Sequence, residues 1–114
     1  MDAVRPLLSA LARLSPVSRY IVDGPSMEPS YRAGDRLLVN KLAYQRRPPV
    51  AGDVVVLRDP ERPERLLLKR VEAIADEGER RFYVAGDNAA ESRDSRAFGP
   101  VARRDIVGKA WIKY

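Results

Sequence analysis

Apolar residues in this chain come in short runs, and Gly or Pro ends each run before a long helix could form. Arg36–Asn40 is one such run, and residues 53–58, 66–74, 81–85 and 106–114 are the others. All are rich in Val, Leu, Ile or aromatic residues, the composition and length of β-strands. The tripeptide Ala-Gly-Asp recurs at 33–35, 51–53 and 85–87. Its glycine supplies backbone angles that other residues resist, and its aspartate bonds back to nearby amides, so the first two copies read as turns that open strands. Five or more short strands in 114 residues predict a small all-β domain. Residues 2–14 depart from this pattern. Val4, Leu7, Leu8, Leu11 and Leu14 follow helical spacing, with Asp2 and Pro6 near the start and Ser15-Pro16 at the end. They predict a short N-terminal helix that either packs on the domain or lies on a membrane surface with Arg5 and Arg13 toward the headgroups. Residues 1–19 are therefore read as an amphipathic segment and 20–114 as the domain proper. The 86–105 connection is long for a structureless loop, which marks it for function or disorder.

Composition narrows the chemistry. The chain has no cysteine and no histidine, which removes disulfides, a thiolate nucleophile, the Ser-His-Asp triad and the usual ligands of zinc and iron. No metal and no cofactor is expected. Acid–base chemistry near neutral pH then falls to Asp, Glu, Lys, Tyr or water. The net charge of +5 rests on 17 Arg and 4 Lys. The arginines are scattered as pairs (46–47, 80–81, 103–104) without interleaved aromatics, the pattern of a solvated face rather than of a nucleic-acid site. No segment approaches the ~20 apolar residues that cross a bilayer, and the N-terminus does not read as a signal peptide.

Ser26 lies between two prolines in Gly24-Pro25-Ser26-Met27-Glu28-Pro29, a stiff turn that presents one serine in one orientation. By itself this is a surface turn. It becomes a nucleophile only if a neighbour takes its proton. Without histidine, the substitute is a neutral lysine amine. An ordinary lysine is neutral in only about 0.04% of molecules at pH 7, and burial lowers its pKa by roughly 3–5 units. Lys41 follows a strand in a polar turn, and Lys109 and Lys113 sit where alternation could carry them to solvent. Lys69 alone follows three leucines. In a strand it shares a face with Leu67 and Val71, and alternation leaves open whether that face is the inner or the outer one.

Four segments in this order resemble the type I signal peptidases and their relatives, serine endopeptidases with a Ser-Lys dyad. Residues 24–30 resemble the nucleophile box and Arg32-Ala33-Gly34-Asp35-Arg36-Leu37-Leu38-Val39 the strand box after it. Leu68-Lys69-Arg70-Val71 resembles the lysine box, and residues 86–96 the last one. The resemblance runs from Val22 to Ile112, nearly the whole domain. It implies a coiled β-sheet or partial β-barrel of the kind shared with the repressor peptidases. It implies Ser26 as nucleophile, Lys69 as general base and Ser92 as the group that orients the amine. Asp94 and Arg96 would pair to hold the loop, while Gly86, Asp87 and Asn88 would form the turn over the site. Where some members have a serine donating to the oxyanion, this chain has Gly24, as other members do. That leaves the Ser26 amide as the donor in view.

The substrate that the resemblance implies is an extended peptide, the signal or leader peptide of a precursor. Val22, Met27, Tyr31 and Leu67 are candidates to line its pockets. Family members also carry a membrane anchor, and often an inserted second domain. Neither is read here, and Ala75 to Arg81 reads as a short linker, so the expectation is a minimal catalytic core, membrane-associated by resemblance or else cytoplasmic. Three alternatives compete. One is a soluble maturation protease for a single precursor such as a nickel superoxide dismutase. Another is a self-cleaving repressor peptidase, for whose DNA-binding domain there is no room. The third is an inactive peptide-binding module.

Overall fold

The computed structural model describes residues 4–7 and 15–114. It is one curled half-barrel sheet of eight antiparallel strands, in the order β1-β2-β3-β8-β4-β5-β6-β7. The strands are β1 (Val4–Pro6), β2 (Val17–Val22), β3 (Arg36–Asn40), β4 (Val54–Arg58), β5 (Leu66–Glu77), β6 (Glu79–Ala85), β7 (Val101–Ala102) and β8 (Ile106–Lys113). The all-β expectation holds. Pairing shifts register at Leu38/Val39, Val56/Leu57 and Val71/Ala73, and such bulges bend the sheet.

The sheet is covered on both faces. One cluster gathers Val4, Tyr20, Val22, Met27, Leu37, Val39, Val54, Val56 and Leu68. The other gathers Tyr44, Val55, Leu57, Leu67, Val71, Phe82, Val84, Val101 and Ile106. Strand β4 divides its side chains between them, Val54 and Val56 to the first, Val55 and Leu57 to the second. A strand buried on both faces needs no polar alternation, which explains the unbroken Val-Val-Val-Leu. Each such side chain contributes about 1.5–3 kcal/mol when removed from water.

Two expectations need correction, and one strand is additional to those expected. Val4–Pro6, read as part of a helix over 2–14, is a strand, and Val4, Arg5 and Pro6 pair with Val22, Ile21 and Tyr20. Cross-strand bonding and burial of Val4 in the first cluster override a helical spacing that three residues cannot enforce. Pro6 is tolerated because β1 is an edge strand. Residues 8–14 of the expected helix lie outside the described residues. Strand β2 matches none of the apolar runs in the sequence, since Ser18 occupies a buried position where the alternation asks for an apolar residue. Finally, Ala75 to Arg81 is no linker but the tip of the β5–β6 hairpin, turned at Gly78 with φ 81°.

Candidate active site

Lys69 projects from β5 on the same face as Leu67 and Val71, and that face is an inner one: the side chain is 0% exposed. The strand is long and paired on both sides, with Val55 of β4 opposite Lys69. The amine therefore has little freedom to reach water. Its Nζ donates to Ser92 Oγ at 3.0 Å. Ser92 Oγ in turn donates to Asp94 Oδ2 at 2.9 Å. A serine hydroxyl carries one proton, so with that proton on Asp94 it can only accept from Lys69.

Asp94 is almost wholly buried, yet both of its oxygens are satisfied. Oδ2 also accepts from the Gly86 amide at 3.0 Å, and Oδ1 accepts from Arg96 Nε at 2.9 Å. Burial pushes its carboxyl up, but the bonds from Arg96, Gly86 and Ser92 outweigh burial and hold it down at about 2. Asp94 also caps the single helical turn α1 (Ser95–Phe98), accepting from the Arg96 amide.

Ser26 is also buried, in the turn that follows β2, where Gly24 takes φ 81°. The loop after β6 clasps this turn. Asn88 N donates to Ser26 O at 2.9 Å, and Asn88 Nδ2 to Pro25 O at 3.1 Å. Asp87 accepts two parallel bonds from Arg70, at 2.9 and 2.8 Å, and one from Ser30 Oγ at 2.7 Å. The Arg70 bonds lead in holding the Asp87 carboxyl below its ordinary range, against burial, which raises it. Arg70 directly follows Lys69, so one strand supplies both the buried amine and the anchor of the loop.

Gly86 is where these parts converge. A Cβ there would stand 2.3 Å from Ser92 Oγ and 2.6 Å from the Ser26 carbonyl oxygen. Only glycine lets the Ser26 turn and the Ser92 hydroxyl close on one point. The sequence-named residues Ser26, Lys69, Ser92, Gly86, Asp87, Asn88, Asp94 and Arg96 thus form one connected region. Of the pocket candidates, Val22, Met27 and Tyr31 pack in the first cluster, whereas Leu67 lies in the second.

Sequence reasoning missed three anchors. Arg70 and Ser30 stood inside matched segments but had no partner until the fold joined them to Asp87. Arg93 bonds the wholly buried Asp59 and also Glu61, and its guanidinium lies 5.2 Å from the centre of the Phe98 ring. Nothing in the sequence pairs positions 59 and 93. Asp59 before Pro60 reads only as a turn former.

A curled antiparallel sheet with a buried lysine bonded to a loop serine defines a candidate peptidase site without histidine. The family described as "Signal peptidase, peptidase S26" matches residues 3–80 and 76–114, and the chain belongs to that family. It is 32% identical over 130 residues to the mitochondrial ATP-independent inner membrane protease subunit 1a of Arabidopsis thaliana, covering 90% of this chain and 76% of that one. It is 34% identical over 106 residues to subunit 1b of the same plant, covering 75% of this chain and 63% of that one. To the probable signal peptidase I-1 of Synechocystis it is 25% identical over 156 residues, covering 96% and 80%. Matches reach 63% of the length of subunit 1b and 52% of Arabidopsis subunit 2, so the chain spans only part of those relatives.

Proposed function

We propose that this chain is a serine endopeptidase that removes signal or leader peptides, with Ser26 as nucleophile and Lys69 as its general base. The observation that carries the reading is a lysine with no exposed surface whose amine donates to Ser92 at 3.0 Å. Burial disfavours the ammonium form and favours a neutral amine that can accept a proton. Family membership and the likeness to named proteases support the same reading.

In acylation, Ser26 Oγ attacks the scissile carbonyl carbon while its proton passes to the Lys69 lone pair. The C–N bond then breaks, and the departing amine takes that proton from Lys69. Water attacks the acyl-enzyme, Lys69 again accepts the proton, and Ser26 leaves with it. The Ser92–Asp94 bond has a definite task here. It makes Ser92 an acceptor, so one N–H of Lys69 is committed and the lone pair is turned elsewhere. Asp94 acts on the amine through Ser92, its own charge being held by Arg96 and the Gly86 amide. The Ser26 amide is the oxyanion donor in view, worth about 3–4 kcal/mol at the transition state. The substrate binds extended, as an added strand.

Ser26→Ala and Lys69→Ala should each abolish cleavage of a signal-peptide substrate while circular dichroism stays unchanged. Substantial residual cleavage by either folded variant would overturn the dyad. Wild-type activity should also rise on the alkaline side, because the base must lose its proton before it can act.

A further inference from the structure

At the far end of the face that carries Lys69 lies a cavity of about 370 Å³. Phe82, the lining residue of β6 nearest the site, lies four positions before Gly86, roughly 13 Å along an extended strand. The cavity is separate from the candidate active site and does not depend on the peptidase reading. The aromatic side chains of Tyr44 and Phe82 line it together with Arg46, Arg47, Arg80 and Arg103. Arg47 and Arg103 both lie over the Tyr44 ring, at 5.7 and 5.4 Å from its centre. Tyr44 itself is fixed by a 2.8 Å bond to Asp53.

The local acids do not balance these four charges. Asp53 already accepts from Tyr44 and the Val50 amide and faces Lys109 at 3.5 Å, while Arg47 approaches it only at 3.6 Å. Arg80 meets the exposed Asp76 at 3.5 Å. Among the described residues, no carboxylate forms an ion pair with Arg46 or Arg103, and Arg103 Nη1 donates to the uncharged Ile106 carbonyl at 3.0 Å. Guanidinium groups gathered on an aromatic floor suit a phosphate oxyanion. The same β3–β4 loop exposes two aliphatic side chains, Leu42 at 47% and Val50 at 45%. A free anion has no use for them, whereas a lipid surface offers both an apolar layer and a phosphate at one depth.

We propose that this cavity binds the phosphate of an anionic phospholipid headgroup and docks the domain on a membrane surface. The test is sedimentation of the full chain with vesicles of phosphatidylcholine and phosphatidylglycerol, against vesicles of phosphatidylcholine alone. Binding should require the anionic lipid. The double variant Arg46→Gln/Arg103→Gln should weaken it roughly tenfold to thirtyfold. A charge-matched control, Arg19→Gln/Arg62→Gln, should leave it within about threefold, both variants keeping the wild-type thermal midpoint. Equal weakening by the two variants would reduce the effect to bulk charge and overturn the site. So would saturable binding of inorganic phosphate with no preference for anionic vesicles, or preferential capture of polyglutamate, which would mark a site for free phosphate or for an acidic protein.

Discussion

The two ends of the Lys69-bearing face treat charge in opposite ways. Lys69 and Asp94 are buried, and each is answered within the chain, the amine by Ser92 and the carboxylate by Ser92, the Gly86 amide and Arg96. Around Tyr44 the arginines are largely exposed and exceed the acids beside them. Buried charge without partners costs several kcal/mol, so the first end must be matched within the chain. Solvated charge is cheap, so the second end can keep a surplus directed outward. Matching gives rigidity of position, whereas surplus gives attraction for something outside the fold.

The sharpest way to break this contrast is to orphan a charge at the matched end. Arg93→Ala leaves Asp59 wholly buried without its guanidinium partner. It should cost about 3–5 kcal/mol in urea unfolding and lower cleavage, because Arg93 neighbours Ser92. A loss under about 1 kcal/mol would show that the amides of Glu61 and Arg62, which also bond Asp59, suffice alone.

Acid comes next. The Asp94 carboxyl is held at about 2 in the folded chain against 3.8 ordinarily. A depressed carboxyl stabilises the fold fully above its unfolded value and loses that contribution as pH falls toward the folded one. The difference amounts to about 2 kcal/mol. Asp94→Asn should therefore be less stable than wild type by about that much at neutral pH, and the gap should close as pH falls from about 4 to 2. A gap that stays constant with pH would place the loss in shape rather than charge.

The smallest effect belongs to the surplus end. Arg80→Gln removes one exposed, long ion pair with Asp76 and should move stability by no more than about 0.5 kcal/mol. A larger loss would mean that the two ends are not as different as their burial suggests.

Much of this was legible beforehand where one physical signal dominated. Strand β3 occupies the residues expected of it, and β4, β5, β6 and β8 differ only at their ends. The face of Lys69 was not legible, because Leu66, Leu68, Leu67 and Val71 are apolar on both sides of β5. Alternation carries no information where both faces are covered. Helical spacing over 2–14 failed at Val4–Pro6, where pairing with β2 decides the conformation. The clasp between residues 24–30 and 86–94 was readable only in part. Motif order hints at proximity, but only the fold shows that Asp87 meets Arg70 and Ser30, or that Arg93 meets Asp59.

The clasp also sets a timetable. Ser26 is grasped by residues some sixty positions downstream, the Asn88 contact with Pro25 spanning 63. Contacts of such separation close late, after the local hairpins have formed. A chain emerging from its N-terminus therefore displays the serine long before the loop that seats it exists. The turn and its loop come together only when the sheet is nearly complete, so the finished domain is the first form of the chain in which that serine is held.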